Sequence, residues 1–257
     1  MDITELQRIR GNQFRRHPWE LARASMITFL IRRWKTHSRI ILDIGSGDAF
    51  LLNSLREKDL AAEYIGVDTA YNKDIIEKIR NTGVHESLIL LSDRSSFISE
   101  AKPDTCLLLD VLEHCENDGA VLAELTEDTI TSKDAVFFIT VPAFQSLFSG
   151  HDRLLKHYRR YSRKQLNSLC RSQGLEVITS GYFFFSLIPA RYMEVMGSKN
   201  RHATRDSSLD GWKGGKLFSR IIYAILWADS RLCYLLSAAG IHLPGLSAYS
   251  ICRKQPS

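Results

Sequence analysis

A chain of 257 residues that is 44% hydrophobic can bury a substantial core, and with 10% aromatic residues and no repeat or low-complexity tract it reads as globular rather than disordered. Its formal charge of +5 is low for a nucleic-acid binder. The cysteines Cys106, Cys115, Cys170, Cys233 and Cys252 are scattered, with neither zinc-finger nor redox spacing, and fit a reducing, cytoplasmic compartment.

Arg and Glu break up Met1 to Lys35, so no signal-peptide core is expected there. Within it, Leu21, Met26, Ile27, Leu30 and Ile31 recur at helical spacing and predict a helix over Trp19 to Thr36. A strand over Arg39 to Ile44 follows, inside the run Ile40-Ile41-Leu42-Asp43-Ile44-Gly45-Ser46-Gly47-Asp48-Ala49. An apolar run of this kind is the pattern of a buried parallel strand, and glycines at its carboxyl end let the backbone turn sharply and approach a ligand. After a helix over Phe50 to Lys58, a second strand from Glu63 ends at Asp68, a carboxylate placed to accept the hydroxyls of a cofactor ribose. Phe50 stands where the nicotinamide-binding version of the motif needs a third glycine, which argues against that cofactor.

Strands are next expected at Leu88 to Leu91, Thr105 to Asp110, Ala135 to Val141 and Leu175 to Phe185, and helices at Asn72 to Asn81, Gly119 to Thr131 and Arg163 to Gln173. The alternation predicts an α/β, doubly wound parallel sheet. Pro142 is expected to end its strand and turn the chain over the cleft, because it lacks a donor and fixes its dihedral. Ser247 to Arg253 forms a last strand, separated from the sixth by about sixty residues. In that insertion Gly197 to Lys216 reads as a mobile loop, and Leu217 to Ala239 as an amphipathic helix or helix pair. The uncharged, strongly apolar stretch Val177 to Ala190 falls short of the ~20 residues that span a bilayer, and no transmembrane helix is expected. The organisation is thus one domain: an N-terminal helical region over 1–36, a cofactor-binding core over 37–185, an insertion or lid over 186–246, and the last strand and tail over 247–257.

Taken in order, Asp43-x-Gly45-x-Gly47, Asp68, Ser92-Asp93 and Asp110-Val111-Leu112-Glu113-His114 resemble the motifs of class I S-adenosylmethionine-dependent methyltransferases. Val141-Pro142-Ala143, His151-Asp152 and Tyr158-Arg159-Arg160-Tyr161 are similar to segments of a broad bacterial-type group among them. The likeness covers about Arg16 to Phe185 and the last ten or so residues. It implies a Rossmann-like, seven-stranded sheet with an antiparallel last strand, normally joined to the sixth by a short connection, and S-adenosylmethionine as cofactor. By resemblance, Gly45, Ser46 and Gly47 pass beneath the methionine part, and Asp43 orders that loop or meets the amine. Asp68 takes the ribose, and Asp93, with Ser92 beside it, the adenine. Ala49 replaces a glycine common in the family, a departure that narrows the conformations open to the turn.

Asp110 ends a strand where open α/β sheets place ligands, so it is expected to touch the cofactor and, with Glu113 and His114, to line the acceptor floor. His114 and His151 are the candidate catalytic groups, since imidazole titrates near neutrality, with Asp152 as orienter of His151 or as a tie for its loop. Some related methyltransferases hold a divalent metal on an acid-x-x-Glu-His pattern, and His151 would complete such a set; the expectation here is no metal. Tyr158, Arg159, Arg160 and Tyr161 have the residue types that grip phosphate or carboxylate. The acceptor is therefore expected to be a small molecule, a sugar or a lipid-linked compound with an anionic group, O-methylated, with possible peripheral membrane contact through 217–239. The alternatives are a non-catalytic cofactor-binding scaffold or sensor and an RNA methyltransferase; no recognised RNA-binding module is present.

Overall fold

The computed structural model describes residues 16–35, 37–93, 101–127, 130–198 and 214–255. In chain order its elements are α1 (Pro18–Trp34), β1 (Ser38–Ile44), α2 (Phe50–Arg56), β2 (Ala61–Val67), α3 (Lys73–Asn81), β3 (Ile89–Leu91), β4 (Thr105–Leu109), α4 (Asp118–Thr126), β5 (Val136–Pro142), α5 (Gly150–Leu154), α6 (Arg163–Ser172), β6 (Leu175–Phe183), α7 (Ile188–Ser198), α8 (Lys216–Ala238) and β7 (Ser247–Lys254). Single 3-10 turns lie at Leu112–His114, Gln145–Leu147 and Phe185–Leu187.

The strands form one seven-stranded sheet in the order β3-β2-β1-β4-β5-β7-β6. β1 pairs in parallel with β2 and β4, and β4 with β5; β7 runs antiparallel between β5 and β6. Strand alternation divides the core into two layers. Ile41, Leu107 and Phe138 face α1, α2 and α8 through Met26, Leu30, Leu52 and Leu226; Leu42, Cys106, Leu108 and Phe137 face α4 and α6 through Leu122, Leu166 and Cys170. Helix starts are fixed by side chains: Asn72 accepts from the amide of Ile75, Asn117 from that of Ala120, and Ser162 and Gln165 form a reciprocal cap.

Pro142 ends its strand as expected: it is the last residue of β5, one position beyond the expected boundary, paired with Ser247 of β7, and at a strand end its missing donor costs nothing. Of the helix or helix pair expected over Leu217 to Ala239 the structure has one continuous helix, and by length and composition alone it is long and apolar enough to cross a membrane, although no such helix was expected. One side of it packs on α1 and β6, with the Ser25 and Tyr223 hydroxyls 2.8 Å apart and the Arg231 guanidinium 3.4 Å above the Phe29 ring, so it lies along the domain. Most of the expected loop over Gly197 to Lys216 lies outside the described residues.

Candidate active site

The parallel strands all deliver their carboxyl ends to one edge of the sheet, and the candidate residues gather there. After β1 the chain reverses through three left-handed residues, Gly45 (φ 69°), Gly47 (φ 54°) and Ala49 (φ 56°). The amides of Gly45 and Ser46 turn back to the Val67 carbonyl at 2.8 and 3.2 Å. A Cβ on Gly45 would lie 2.8 Å from the Val111 side chain, so both its φ and the space require glycine. Ala49 adopts the strained conformation that the family's glycine would take freely, at a cost of order 1 kcal/mol.

Asp68, just past β2, accepts from the Gly47 amide at 3.1 Å and the Ala70 amide at 3.0 Å, which fixes its carboxylate against the glycine loop. The Tyr71 hydroxyl lies 2.8 Å from Ser46 Oγ and donates to the Gly47 carbonyl at 2.7 Å, bracing the loop from below. Asp43 is buried beneath it. Burial pushes its carboxyl up to about 7; Arg23 opposes the shift and Asp68 adds to it. Ser92 and Asp93 sit exposed beyond β3.

Helix α1 contributes a strap that the sequence reading did not include. Arg16 pairs with Asp48 at 2.6 Å and stacks 3.7 Å over Phe50, while Arg23 reaches Asp110 at 2.9 Å and Thr140 Oγ1 at 3.2 Å. Asp110 itself is held at φ 60°, with Thr140 Oγ1 donating to it at 3.0 Å. A non-glycine residue in that region at a strand end is a strain that functional sites often retain.

Beyond Asp110, the 3-10 turn places Glu113 in the interior with no exposed surface, and neither carboxylate oxygen has a hydrogen-bond partner among the described residues. Burial, reinforced by the Asp110 charge, raises its carboxyl well above the usual carboxylate range. Glu113, His114 and His157 bring one carboxylate oxygen and two imidazole nitrogens within 4.8 Å of one another, and the two imidazoles meet edge to face at 4.5 Å.

Behind His157 lies the most heavily paired carboxylate of the site. Asp152 is fully buried and accepts from His157 Nδ1 at 3.1 Å, Arg160 Nε at 2.7 Å, Arg191 at 2.6 Å and the Ser149 amide at 2.8 Å. Burial alone would raise its carboxyl, but the hydrogen bonds from His157 and Arg160 hold it well below the ordinary range.

This arrangement redistributes several expected roles. Asp152 orients His157, not His151; the bond to Asp152 that was expected of His151 belongs to His157. His151 sits on the short helix α5, its imidazole lowered by burial and by Arg191. Arg160 is buried, its guanidinium held by Asp152 and the Ala143 carbonyl, and Arg159 pairs with Asp118 at 3.1 Å and the Glu116 carbonyl at 2.7 Å. Tyr161 is buried and donates to Asp118 at 2.7 Å, whereas Tyr158 is exposed and its amide binds the Glu113 carbonyl at 2.7 Å. The Tyr158 to Tyr161 run clamps the Glu113 turn, and the guanidiniums expected to grip an anion have carboxylate partners in Asp118 and Asp152. His157 stands one residue before that run, and only its proximity in space to Glu113 distinguishes it.

The sequence matches the family described as "Methyltransferase domain" over residues 16–180. Solved structures similar to this fold include a SAM-dependent methyltransferase from Archaeoglobus fulgidus, 18% identical, with 90% of this chain and 94% of that one covered and a TM-score of 0.51. The plantazolicin methyltransferase BamL, solved with a triazolic desmethylPZN analog and SAH, is 15% identical over 92% of this chain and 85% of that one, with a TM-score of 0.54. The [4+2]-cyclase SpnF is 17% identical over 96% and 86%, with a TM-score of 0.55. A search of curated proteins finds no match. The sheet order, the Gly45 to Ala49 turn with Asp68 beside it, and a family match spanning most of the chain agree: this protein belongs to the methyltransferase domain family and has the fold of the class I S-adenosylmethionine-dependent methyltransferases.

Proposed function

We propose that this methyltransferase transfers a methyl group from S-adenosylmethionine to an oxygen of a small or lipid-linked acceptor, with the His157 imidazole behind Asp110 receiving the acceptor's proton. The observation that carries the reading is the Asp152–His157 pair beside Glu113 and His114, at the end of the strand next to the glycine loop.

The residues fit the cofactor. A loop turned back by positive φ at Gly45 and Gly47, a pinned carboxylate at Asp68 and an acid beneath the loop at Asp43 supply what a ribose and an amino-acid moiety need. Gly45, Ser46, Gly47, Asp68 and Asp43 would hold it, with Ser92 and Asp93 on the adenine side. Bound there, the cofactor would supply a sulfonium methyl that an acceptor oxygen attacks in line, with S-adenosylhomocysteine leaving as the C–S bond breaks.

On the chain's side, the ionised Asp152 accepts from His157 Nδ1, which leaves Nε2 as the basic nitrogen. The Arg160 and Arg191 pairs immobilise Asp152, so the imidazole is held in one orientation. His114, exposed at the mouth, stands edge-on to it and extends the proton path to solvent. Glu113, kept protonated by burial, can donate a hydrogen bond instead of adding negative charge. Because Arg159 and Arg160 are already paired, they lend no support to an anionic acceptor or to an RNA substrate.

A second reading, a cofactor-binding protein without methyl transfer, is favoured by one observation: the same fold carries the name of a cyclase in SpnF. Incubating the protein with methyl-labelled S-adenosylmethionine and cell extract, followed by mass spectrometry, separates the two. Label should enter an oxygen of one extract component, and His157→Ala should lower that rate by about 10²–10⁴-fold with unchanged S-adenosylhomocysteine affinity. Cofactor binding without label transfer would favour the second reading, and a fully active His157→Ala would remove the imidazole from the proton path.

A further inference from the structure

Helix α8 is apolar on two sides. Leu226, Ser230, Cys233 and Tyr234 are buried against the domain. On the side away from them, positions 217, 221, 225, 228, 232 and 235 recur at intervals of 4, 4, 3, 4 and 3, and all are exposed Leu, Ile or Ala. With Phe218 and Ala224 this outer face is roughly 120° wide and carries no polar side chain. Leu217 is 73% exposed and Leu235 64%, so the stripe is a contiguous apolar patch left open along the helix, the kind that marks an interaction surface. Helix α7 adds the exposed Tyr192, Met193 and Met196, and both helices rest on the turn Phe185–Leu187.

Charge decides what covers this face. Lys216 and Arg220 are exposed along one flank of α8. The helix's single carboxylate, Asp229, is turned inward, where it accepts from the Phe185 and Ser186 amides at 3.2 and 2.9 Å and from the Ser186 hydroxyl at 2.7 Å. A second copy of α8 laid on this face would therefore offer no counter-charge to Lys216 and Arg220, and the face is wider than the two-in-seven seam of a paired helix. Anionic headgroups supply that counter-charge, and an acyl layer takes a broad apolar face. We propose that the outer face of α8, with the apolar tip of α7, seats this protein on the surface of an anionic membrane, the helix lying in the interface plane rather than crossing it.

The turn beneath both helices follows the carboxyl end of β6, on the same sheet edge as the glycine loop and Asp110. Resting on the methyltransferase reading, this means that an acceptor drawn from the bilayer would reach the site at that edge. The docking itself does not depend on that reading.

Flotation of the full chain with vesicles, without acceptor or cofactor, tests it. Vesicles of phosphatidylcholine and phosphatidylglycerol should bind the protein at least about tenfold more tightly than phosphatidylcholine alone. Lys216→Gln with Arg220→Gln should weaken binding to the mixed vesicles by roughly fivefold per residue. Ile221→Glu, Ile225→Glu and Leu232→Glu together should abolish it while leaving the thermal shift given by S-adenosylhomocysteine intact; should that shift be lost, Leu217→Gln with Leu235→Gln takes the triple variant's place. Absence of flotation with either vesicle overturns the proposal, as does equal binding by the triple variant. So does a concentration-dependent dimer in analytical ultracentrifugation that the triple variant dissolves, since a second copy then covers the face. None of these failures touches methyl transfer, which is read from label incorporation.

Discussion

Replacing Asp43 by Asn should flatten part of the protein's dependence on pH. Asp43 is 3% exposed, and its carboxyl is pushed from about 3.8 in the unfolded chain up to about 7 in the fold by burial, with Asp68 adding to the shift and Arg23 resisting it. Between those values the folded state keeps a proton that the unfolded chain releases, so stability falls as pH rises, by about 1.4 kcal/mol per pH unit, and levels off above the folded value. Integrated from about pH 5 to about pH 8, the loss is roughly 2.5 kcal/mol. Asn is isosteric and has no proton to release, so urea unfolding of both proteins across that range should show the gap between them opening in favour of the variant by about that amount. Contributions from Glu113 and other groups appear in both proteins and largely cancel in the difference. A gap that stays constant with pH would refute the reasoning, because it would mean that Asp43 titrates alike in the folded and unfolded chains.

Asp68→Ala should weaken S-adenosylmethionine and S-adenosylhomocysteine alike by about tenfold to a hundredfold in calorimetry, because a carboxylate pinned by the Gly47 and Ala70 amides would be lost from the ribose side; unequal losses would move its contact away from the shared ribose. Asp152→Ala strands the Arg160 and Arg191 guanidiniums in the interior and should cost roughly 3–5 kcal/mol in denaturant unfolding. A loss below about 1 kcal/mol would mean that the pairs are solvated. Dialysis against a chelator should leave methyl transfer unchanged; activity that disappears and returns with magnesium or manganese would make Glu113, His114 and His157 ligands to an ion.

The central sheet was legible in the sequence because β1, β2, β4 and β5 are largely apolar runs closed by Gly45, Asp68, Asp110 and Pro142, and the register puts Asp43, Asp68 and Asp110 together at one edge. The same local signal found the glycine loop. It could not find what long-range packing decides. Arg159 and Arg160 read as an anion grip because their residue types suit one, and nothing local says that Asp118 and Asp152 already occupy them. His151 and His157 are six residues apart, and which one meets Asp152 depends on the short helix Gly150–Leu154, whose reciprocal cap between Ser149 and Asp152 turns that carboxylate inward toward the Arg160 and Arg191 side chains. Pro142 was legible as a terminator because its missing donor and fixed dihedral are local properties, and β5 does end on it.

Arg23 ties the two halves of the site together. From α1 it pairs with Asp110, and its charge opposes the rise of both the Asp43 and Glu113 carboxyls, one beneath the cofactor loop and one behind the acceptor floor. Three acids packed at the ends of neighbouring strands would otherwise repel one another, and a single guanidinium shared among them lets all three stay. A ligand that draws Arg23 away removes a charge that opposes the rise of both the Asp43 and Glu113 carboxyls. Occupancy of the cofactor loop and the proton state of the acceptor floor are, on this geometry, linked through one side chain of the first helix.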